Sequence, residues 1–300
     1  MKVVIGTRGS ELAMWQAHFV ESELTKRGVE VEIKIIKTQG DIITHLSFDK
    51  MEGKGFFTKE IEAALLSKEI DLAVHSHKDL ETTSPDGLTI AAVSDRADPS
   101  DMLLINKKSF DVTLDLSVIK NAVIGTSSAR RQTQLLAFRP DIQIKDLRGN
   151  VQTRIQKLRD GNYDAIMLAS AGITRLEMDV SEFEIKRFNP NEFIPAPAQG
   201  VLGLQIRSED QELFKFLQDN LHQQDVENCI AEERKVLKYL DGGCQLPLGS
   251  FCEKTAEGNF QLKISLGQKE KDLIRLSTSG STTRGLADKI LQDLKKKSLS

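Results

Sequence analysis

Two hydrophobic periods alternate along the first half of the chain. Residues 3–5 form a short apolar, β-prone run closed by Gly6, and residues 11–26 then place Leu12, Trp15, Phe19, Val20 and Leu24 at helical spacing. A second strand is predicted over residues 31–36, ending at Gln39-Gly40-Asp41. Phe57, Ile61, Leu65 and Leu66 mark the next amphipathic helix, and residues 70–74 a third strand. Strands and helices alternating in this way predict βαβ units on a parallel sheet.

The rhythm restarts near residue 121. Val4-Ile5-Gly6-Thr7 returns as Val123-Ile124-Gly125-Thr126, residues 33–40 are echoed by 142–149, and Asp71-Leu72-Ala73-Val74 by Asp164-Ala165-Ile166-Met167. Any two βαβ units share some short matches by chance, but the common order favours two similar α/β lobes. The interval from Gly40 to Asp71 exceeds that from Gly149 to Asp164 by 16 residues, so the first lobe carries an insert at about 42–57. Long glycine-bearing loops are commonly lids. A mobile flap carrying Lys54 and Phe57 is expected, the alternative being a disordered surface excursion.

Pro190, Pro195 and Pro197 interrupt the pattern, after which residues 200–206 read as a strand of the kind that crosses back to the first lobe. From Asp225 a new pattern begins. Val226, Cys229, Ile230, Val236, Leu237 and Leu240 stripe a helix, followed by strands at 249–253, 260–266 and 272–277 and a last helix over 283–296. The expected organisation is a first lobe over 1–95 and 196–215, a second over 98–190, and a small α+β domain over 216–300 with a three-stranded antiparallel sheet.

Composition narrows the partners. Lys plus Arg (41) nearly balances Asp plus Glu (44), so the chain as a whole carries no basic nucleic-acid footprint and any cationic site is local. Aromatic residues, at 5%, are too sparse for a base-stacking platform. Three cysteines without a C-x-x-C pair argue against a disulfide framework or zinc ribbon and for a reducing compartment. The N-terminus turns polar after a few apolar residues and no run reaches membrane-spanning length, so a soluble cytoplasmic protein is expected. No long exposed apolar stripe demands a partner, and a monomer is expected.

P-loop, dinucleotide-binding, zincin and hydrolase-elbow motifs are missing from the sequence. His75-x-His77 offers two metal ligands without an evident third, so no metal is expected. The distinctive feature is where arginine sits. Arg8, Arg130, Arg131, Arg148, Arg154 and Arg175 all fall just past predicted strand ends or in the first turn of the next helix, which in open α/β sheets is where ligands bind. Thr126, Ser127 and Ser128 add hydroxyls at a helix N-terminus, which favours anions. Each arginine alone reads as a surface ion pair, but clustering at corresponding strand ends suggests a ligand with several carboxylates or phosphates. Asp79, after Lys78, sets a carboxylate at the same rim. There it stabilises a cation or moves a proton, or simply pairs with Lys78. Cys244 lies in the glycine-flexed loop Gly242-Gly243-Cys244-Gln245, suited to a nucleophile or covalent tether, whereas Cys229 on the helical stripe reads as core.

These segments together resemble one family, hydroxymethylbilane synthase or porphobilinogen deaminase. The matching stretches are Gly6 to Ser10, Gly53 to Glu60, Val74 to Asp79, Gly125 to Arg131, Leu147 to Arg154, Pro195 to Gly200 and Gly242 to Pro247, in the family's order. The resemblance implies two periplasmic-binding-protein-like lobes with a cleft between them and a small C-terminal domain. It implies deamination and head-to-tail joining of four porphobilinogen molecules, with release of ammonia and linear hydroxymethylbilane. It also implies a dipyrromethane cofactor held by a thioether to Cys244, and Asp79 as the catalytic carboxylate. Arg8, Ser10, Lys78, Thr126, Ser127, Ser128, Arg130, Arg131, Arg148, Gly149, Arg154, Arg175 and Gln199 would bind cofactor and substrate, with Lys54 and Phe57 on the active-site loop.

Two positions depart from the family pattern. His77 stands where Met is common, and Leu80-Glu81-Thr82-Thr83 replaces the usual proline-containing continuation, which leaves the path of that loop open. The rival from another class is a two-lobed binding protein for a polycarboxylate or phosphate, for which Cys244 would have no use.

Overall fold

The computed structural model describes residues 1–38, 58–241, 246–269 and 272–298. They divide into two compact units, Met1–Ala97 with Gly200–Glu227, and Asp98–Gln199 with Asn228–Ser300. In chain order, the first unit contains β1 (Lys2–Thr7), α1 (Glu11–Thr25), β2 (Glu30–Ile35), α2 (Lys59–Leu66), β3 (Leu72–Ser76) and β4 (Leu88–Val93). The second contains β5 (Asp101–Ile105), β6 (Val123–Gly125), α3 (Ala129–Phe138), β7 (Gln143–Lys145), α4 (Val151–Arg159), β8 (Ala165–Ala169), α5 (Ser170–Arg175) and β9 (Glu184–Arg187). The chain returns to the first unit as β10 (Leu202–Arg207) and α6 (Gln211–Leu221). It closes with α7 (Gln224–Tyr239), β11 (Leu248–Lys254), β12 (Phe260–Lys269), β13 (Asp272–Gly280) and α8 (Leu286–Ser298).

The first unit's sheet has the order β2-β1-β3-β10-β4 and the second unit's β7-β6-β8-β5-β9. The expected duplication is therefore present strand for strand. The expected all-parallel sheet is not: β1 pairs in parallel with β2 and β3, but β10 runs antiparallel to β3, as β5 does to β8. A parallel neighbour needs a helical crossover on the same sheet, and β10 and β5 each arrive from the other unit without one.

Matching atoms repeat as well as matching strands. Asp71 Oδ2 accepts from Val4 N at 3.0 Å, and Asp164 Oδ2 from Val123 N at 2.8 Å. A Cβ on Gly6 would overlap Ile70 and one on Gly125 would meet Tyr163 at 2.8 Å, so in each strand the glycine leaves room for the residue that precedes the aspartate. Helices cover both faces of each sheet, so alternate strand residues enter different cores. On β8, Ala165 and Met167 pack into one cluster and Ile166 and Leu168 into the other.

The C-terminal segment has its own core, in which Cys229, Val236, Cys252, Leu262, Ile264 and Ile290 meet. It belongs to the same compact unit as the second sheet. Residue 216, the expected start of this domain, falls inside α6, whose Leu213 and Leu217 complete the first unit's core. Glu233 on α7 is fully buried. Its Oε2 accepts from Ala198 N at 2.7 Å and its Oε1 from Cys252 N at 2.8 Å. Ala198 holds φ at +60°, a conformation that costs a residue with a Cβ, and the bond to Glu233 fixes it there. Glu233→Ala, which strands two buried N–H groups, should lower unfolding free energy by about 2 to 4 kcal/mol in urea titrations.

Candidate active site

The first unit gathers its candidate groups at the ends of β1 and β3. After β1, Thr7 Oγ1 donates to Ala13 O at 3.1 Å and Ser10 Oγ caps α1 by accepting from Ala13 N at 3.4 Å, which sets the turn carrying Arg8. After β3, Ser76 Oγ accepts from Gln16 Nε2 of α1 at 2.8 Å. A single 3₁₀ turn, His77–Asp79, follows. His77 N donates to Val201 O at 2.9 Å and Leu80 N to His77 O at 3.2 Å. With His77 and Leu80 buried on either side, the turn leaves Lys78 half-buried and Asp79 exposed. The His75 ring is turned inward, its Nε2 3.0 Å from Gln205 Oε1.

In the second unit, Thr126 is buried and its Oγ1 accepts from Ser128 N at 3.2 Å, shaping the entry to α3. Ser127 joins two strand-end loops, donating through Oγ to Leu147 O at 3.2 Å and accepting from Leu147 N at 3.0 Å. Ser128, at the head of α3, makes no side-chain cap bond. The next loop carries Arg148 and Gly149. Gly149 has φ +110°, and a Cβ there would lie 2.6 Å from Thr153, so only glycine fits. Asn150 Oδ1 caps α4 through Thr153 N at 2.8 Å, and Arg154 Nε donates to Gly149 O at 2.7 Å. Ile155 and Leu158 are buried and Arg154 stays off that stripe, as the spacing predicts. Arg175 ends α5, and burial pushes its guanidinium down to about 10.

Arg130 and Arg131, in the first turn of α3, are both buried, and the reason is a residue that sequence reasoning missed. Asp101, at the start of β5, is fully buried. Its Oδ2 accepts from Arg130 Nη1 at 2.6 Å, and its Oδ1 accepts from Arg131 Nη2 at 2.7 Å and Nε at 3.1 Å. Arg130 Nη1 also reaches Ile194 O at 3.0 Å, and Arg131 Nη1 reaches Met167 O at 3.1 Å. Gln199 spends its side-chain amide on Pro99 O at 2.7 Å and on Asp101 Oδ1 at 3.1 Å. Burial pushes the Asp101 carboxyl up, but the two guanidiniums outweigh it and hold the group well below the usual carboxylate range. The sequence did hold a signal. Asp101 heads the otherwise apolar run Met102-Leu103-Leu104-Ile105, where a bare carboxylate could not stay.

Cys229 and Cys252 are buried in the C-terminal core. Cys244, Lys54, Phe57 and the insert at 42–57 lie outside the described residues.

These features define a class: a duplicated α/β protein with a carboxylate and an ammonium at the strand ends of one unit and hydroxyls, arginines and a helix start at those of the other. Such groups suit a ligand bearing several carboxylates. The family model for the dipyrromethane-cofactor-binding domain of porphobilinogen deaminase matches residues 3–215, and that for the C-terminal domain of the same enzyme matches residues 227–296. The chain belongs to the porphobilinogen deaminase family. It is 46% identical over 267 residues to the porphobilinogen deaminase of Nitratiruptor sp., covering 89% of this chain and 84% of that one. To the porphobilinogen deaminase of Nitratidesulfovibrio vulgaris Hildenborough it is 42% identical over 302 residues, covering 97% and 93%. Among solved structures, it is similar to the periplasmic VFT2 domain of Bordetella pertussis BvgS, with TM-score 0.42 and 12% identity over 78% of this chain and 92% of that one.

Membership makes the chain a transferase with a dipyrromethane cofactor. The donor set fits that group. A dipyrromethane bears two acetates and two propionates, which call for cations and hydroxyls, and the second unit supplies Arg148, Arg154, Arg175, Ser127 and Ser128. The carboxylate that would repel it, Asp101, is neutralised by two guanidiniums.

Burial lowers the pKa of His75 to about 4, so the ring is neutral in the folded state. The unfolded chain takes up a proton near pH 6.5 and the folded one only near 4, so the stability due to His75 is present above pH 6.5 and lost as pH falls through that window. The stability difference between wild type and His75→Gln should shrink by on the order of 2 to 3 kcal/mol between pH 7 and pH 4. Urea unfolding at stepped pH measures it.

Proposed function

We propose that this chain joins four porphobilinogen molecules head to tail, releasing ammonia and linear hydroxymethylbilane, with Asp79 as its acid–base and electrostatic group and Cys244 as the point of cofactor attachment. Hydroxymethylbilane synthase activity follows from the family. The observation that carries the assignment of Asp79 is the 3₁₀ turn that buries His77 and Leu80 and leaves the intervening carboxylate exposed beside Lys78.

Loss of ammonia from the aminomethyl group needs a proton on its nitrogen and leaves a cation spread over the pyrrole. A carboxylate facing the pyrrole N–H stabilises that charge. Once the new carbon–carbon bond has formed, the α-carbon must lose its proton, and Asp79 is the base to take it. The bound dipyrromethane supplies the first pyrrole carbon to be extended. Lys78, Arg8 and Ser10 in the first unit, and Ser127, Ser128, Arg148, Arg154 and Arg175 in the second, hold acetate and propionate groups, with the backbone at Gly149 shaping the second site. Arg130 shares in this role: among the described residues its Nε and Nη2 have no partner. Thr126, Arg131 and Gln199 support the loop and the ion cluster. Lys54 and Phe57 act from the active-site loop. Burial of Cys229 and Cys252 in the core supports Cys244 as the attached thiol.

The same reading places the protein in the cytoplasm as a monomer, in keeping with a sequence of three cysteines without a C-x-x-C pair. No helix among the described residues is long and apolar enough to cross a membrane.

Two results test these assignments. Asp79→Asn keeps the shape and removes the charge, and should lower kcat about 10²- to 10⁴-fold with little change in KM, as read from steady-state kinetics. Equal loss in both parameters would reduce Asp79 to a positioning group. Intact-mass measurement should show a dipyrromethane on the wild-type protein and none on Cys244→Ser. The same adduct on both would move the attachment elsewhere.

A further inference from the structure

Two guanidiniums and one carboxylate carry a single net positive charge. In the second unit that charge is buried under the first turn of α3, where Arg130 and Arg131 share Asp101. The sharing is uneven. Arg131 gives Nε and Nη2 to Asp101 and Nη1 to Met167 O, so all three of its nitrogens are engaged. Arg130 engages Nη1 alone among the described residues. Gln199 adds a neutral donor to the same carboxylate, so Asp101 accepts four hydrogen bonds, and among the described residues no second acid pairs with the remaining cation.

We propose that Asp101 is a positioning residue of the reaction: it draws both arginines beneath α3 and limits their joint charge to one, and so sets how strongly this end of the unit attracts carboxylates. A site that must accept a substrate with two carboxylates, and more as the product lengthens, cannot carry unlimited positive charge without holding every species too tightly. Arg130 and Arg131 are 5% and 6% exposed and face Asp101, so the cluster acts chiefly through its field. A buried charge is screened less by salt than an exposed one. The inference rests on the reading that the second unit binds pyrrole carboxylates.

Asp101→Asn keeps the side chain's size and an acceptor oxygen but leaves two positive charges. In the cofactor-loaded enzyme, KM for porphobilinogen at low salt should fall severalfold, because one more positive charge faces a substrate with two carboxylates. Its rise with added salt should steepen. Intact masses after limiting porphobilinogen should shift towards larger covalent increments, because each addition brings two more carboxylates. Asp101→Asn/Arg131→Gln, which returns the net charge to one, should move all three readouts back. Gln199→Glu, which adds a carboxylate to the cluster, should raise KM and shift the masses the other way, and serves if Asp101→Asn does not fold. A folded Asp101→Asn with wild-type KM, salt dependence and mass distribution would overturn the inference alone. A wild-type enzyme that gains no covalent mass from porphobilinogen would overturn the reading beneath it as well.

Discussion

Taking the Asp101 carboxylate out of water costs several kcal/mol, and the second unit is arranged so that the cost is met. Four hydrogen bonds converge on it, from both arginines of α3 and from Gln199. The same arginines reach Ile194 O and Met167 O, so one buried charge ties β5, α3, β8 and the segment leading to Gln199. Glu233 continues the chain of constraint. By holding Ala198 N it fixes the residue before Gln199 in its unusual backbone conformation, and through Cys252 N it fastens β11 to the same point. The loops that carry Ser127, Ser128 and Arg148 therefore sit on a base that moves little, as a site assembled from loops requires.

Duplication gives the two units one chassis and different chemistry. β3 and β8 occupy the same place in their sheets, each beginning beside an aspartate that binds the backbone of the neighbouring strand. β3 runs into Lys78 and an exposed Asp79, whereas β8 runs into α5 and the half-buried Arg175. An acid is wanted where a cation develops on the substrate, and a desolvated cation where carboxylates are held. On the proposed reaction, the repeated fold would supply both from equivalent strand ends.

Most of this frame was legible in the sequence because it rests on local signals. The Gly6/Gly125 and Asp71/Asp164 pairs are visible as repeats, and the structure gives each a contact that requires it. Asp79 and Gly149 stood out from their positions past strand ends. The antiparallel crossing strands did not, since their direction is set by a chain that comes from the other unit. Asp101 was missed because its partners lie 29, 30 and 98 positions away. Without it, Arg130 and Arg131 look like two rim cations, whereas Asp101 cancels one of their two charges before any ligand arrives. The C-terminal boundary at 216 was set too early: the new pattern begins at Asp225, and the apolar face of α6 before it belongs to the first core.

The most direct test of the account is the stoichiometry of turnover. Purified cofactor-loaded protein is given porphobilinogen, and ammonia and linear tetrapyrrole are measured together. The account predicts four ammonia molecules for each hydroxymethylbilane released. Porphobilinogen that binds but yields no ammonia would contradict it, and would leave the duplicated frame of strand-end groups as a binding device without the chemistry assigned to Asp79.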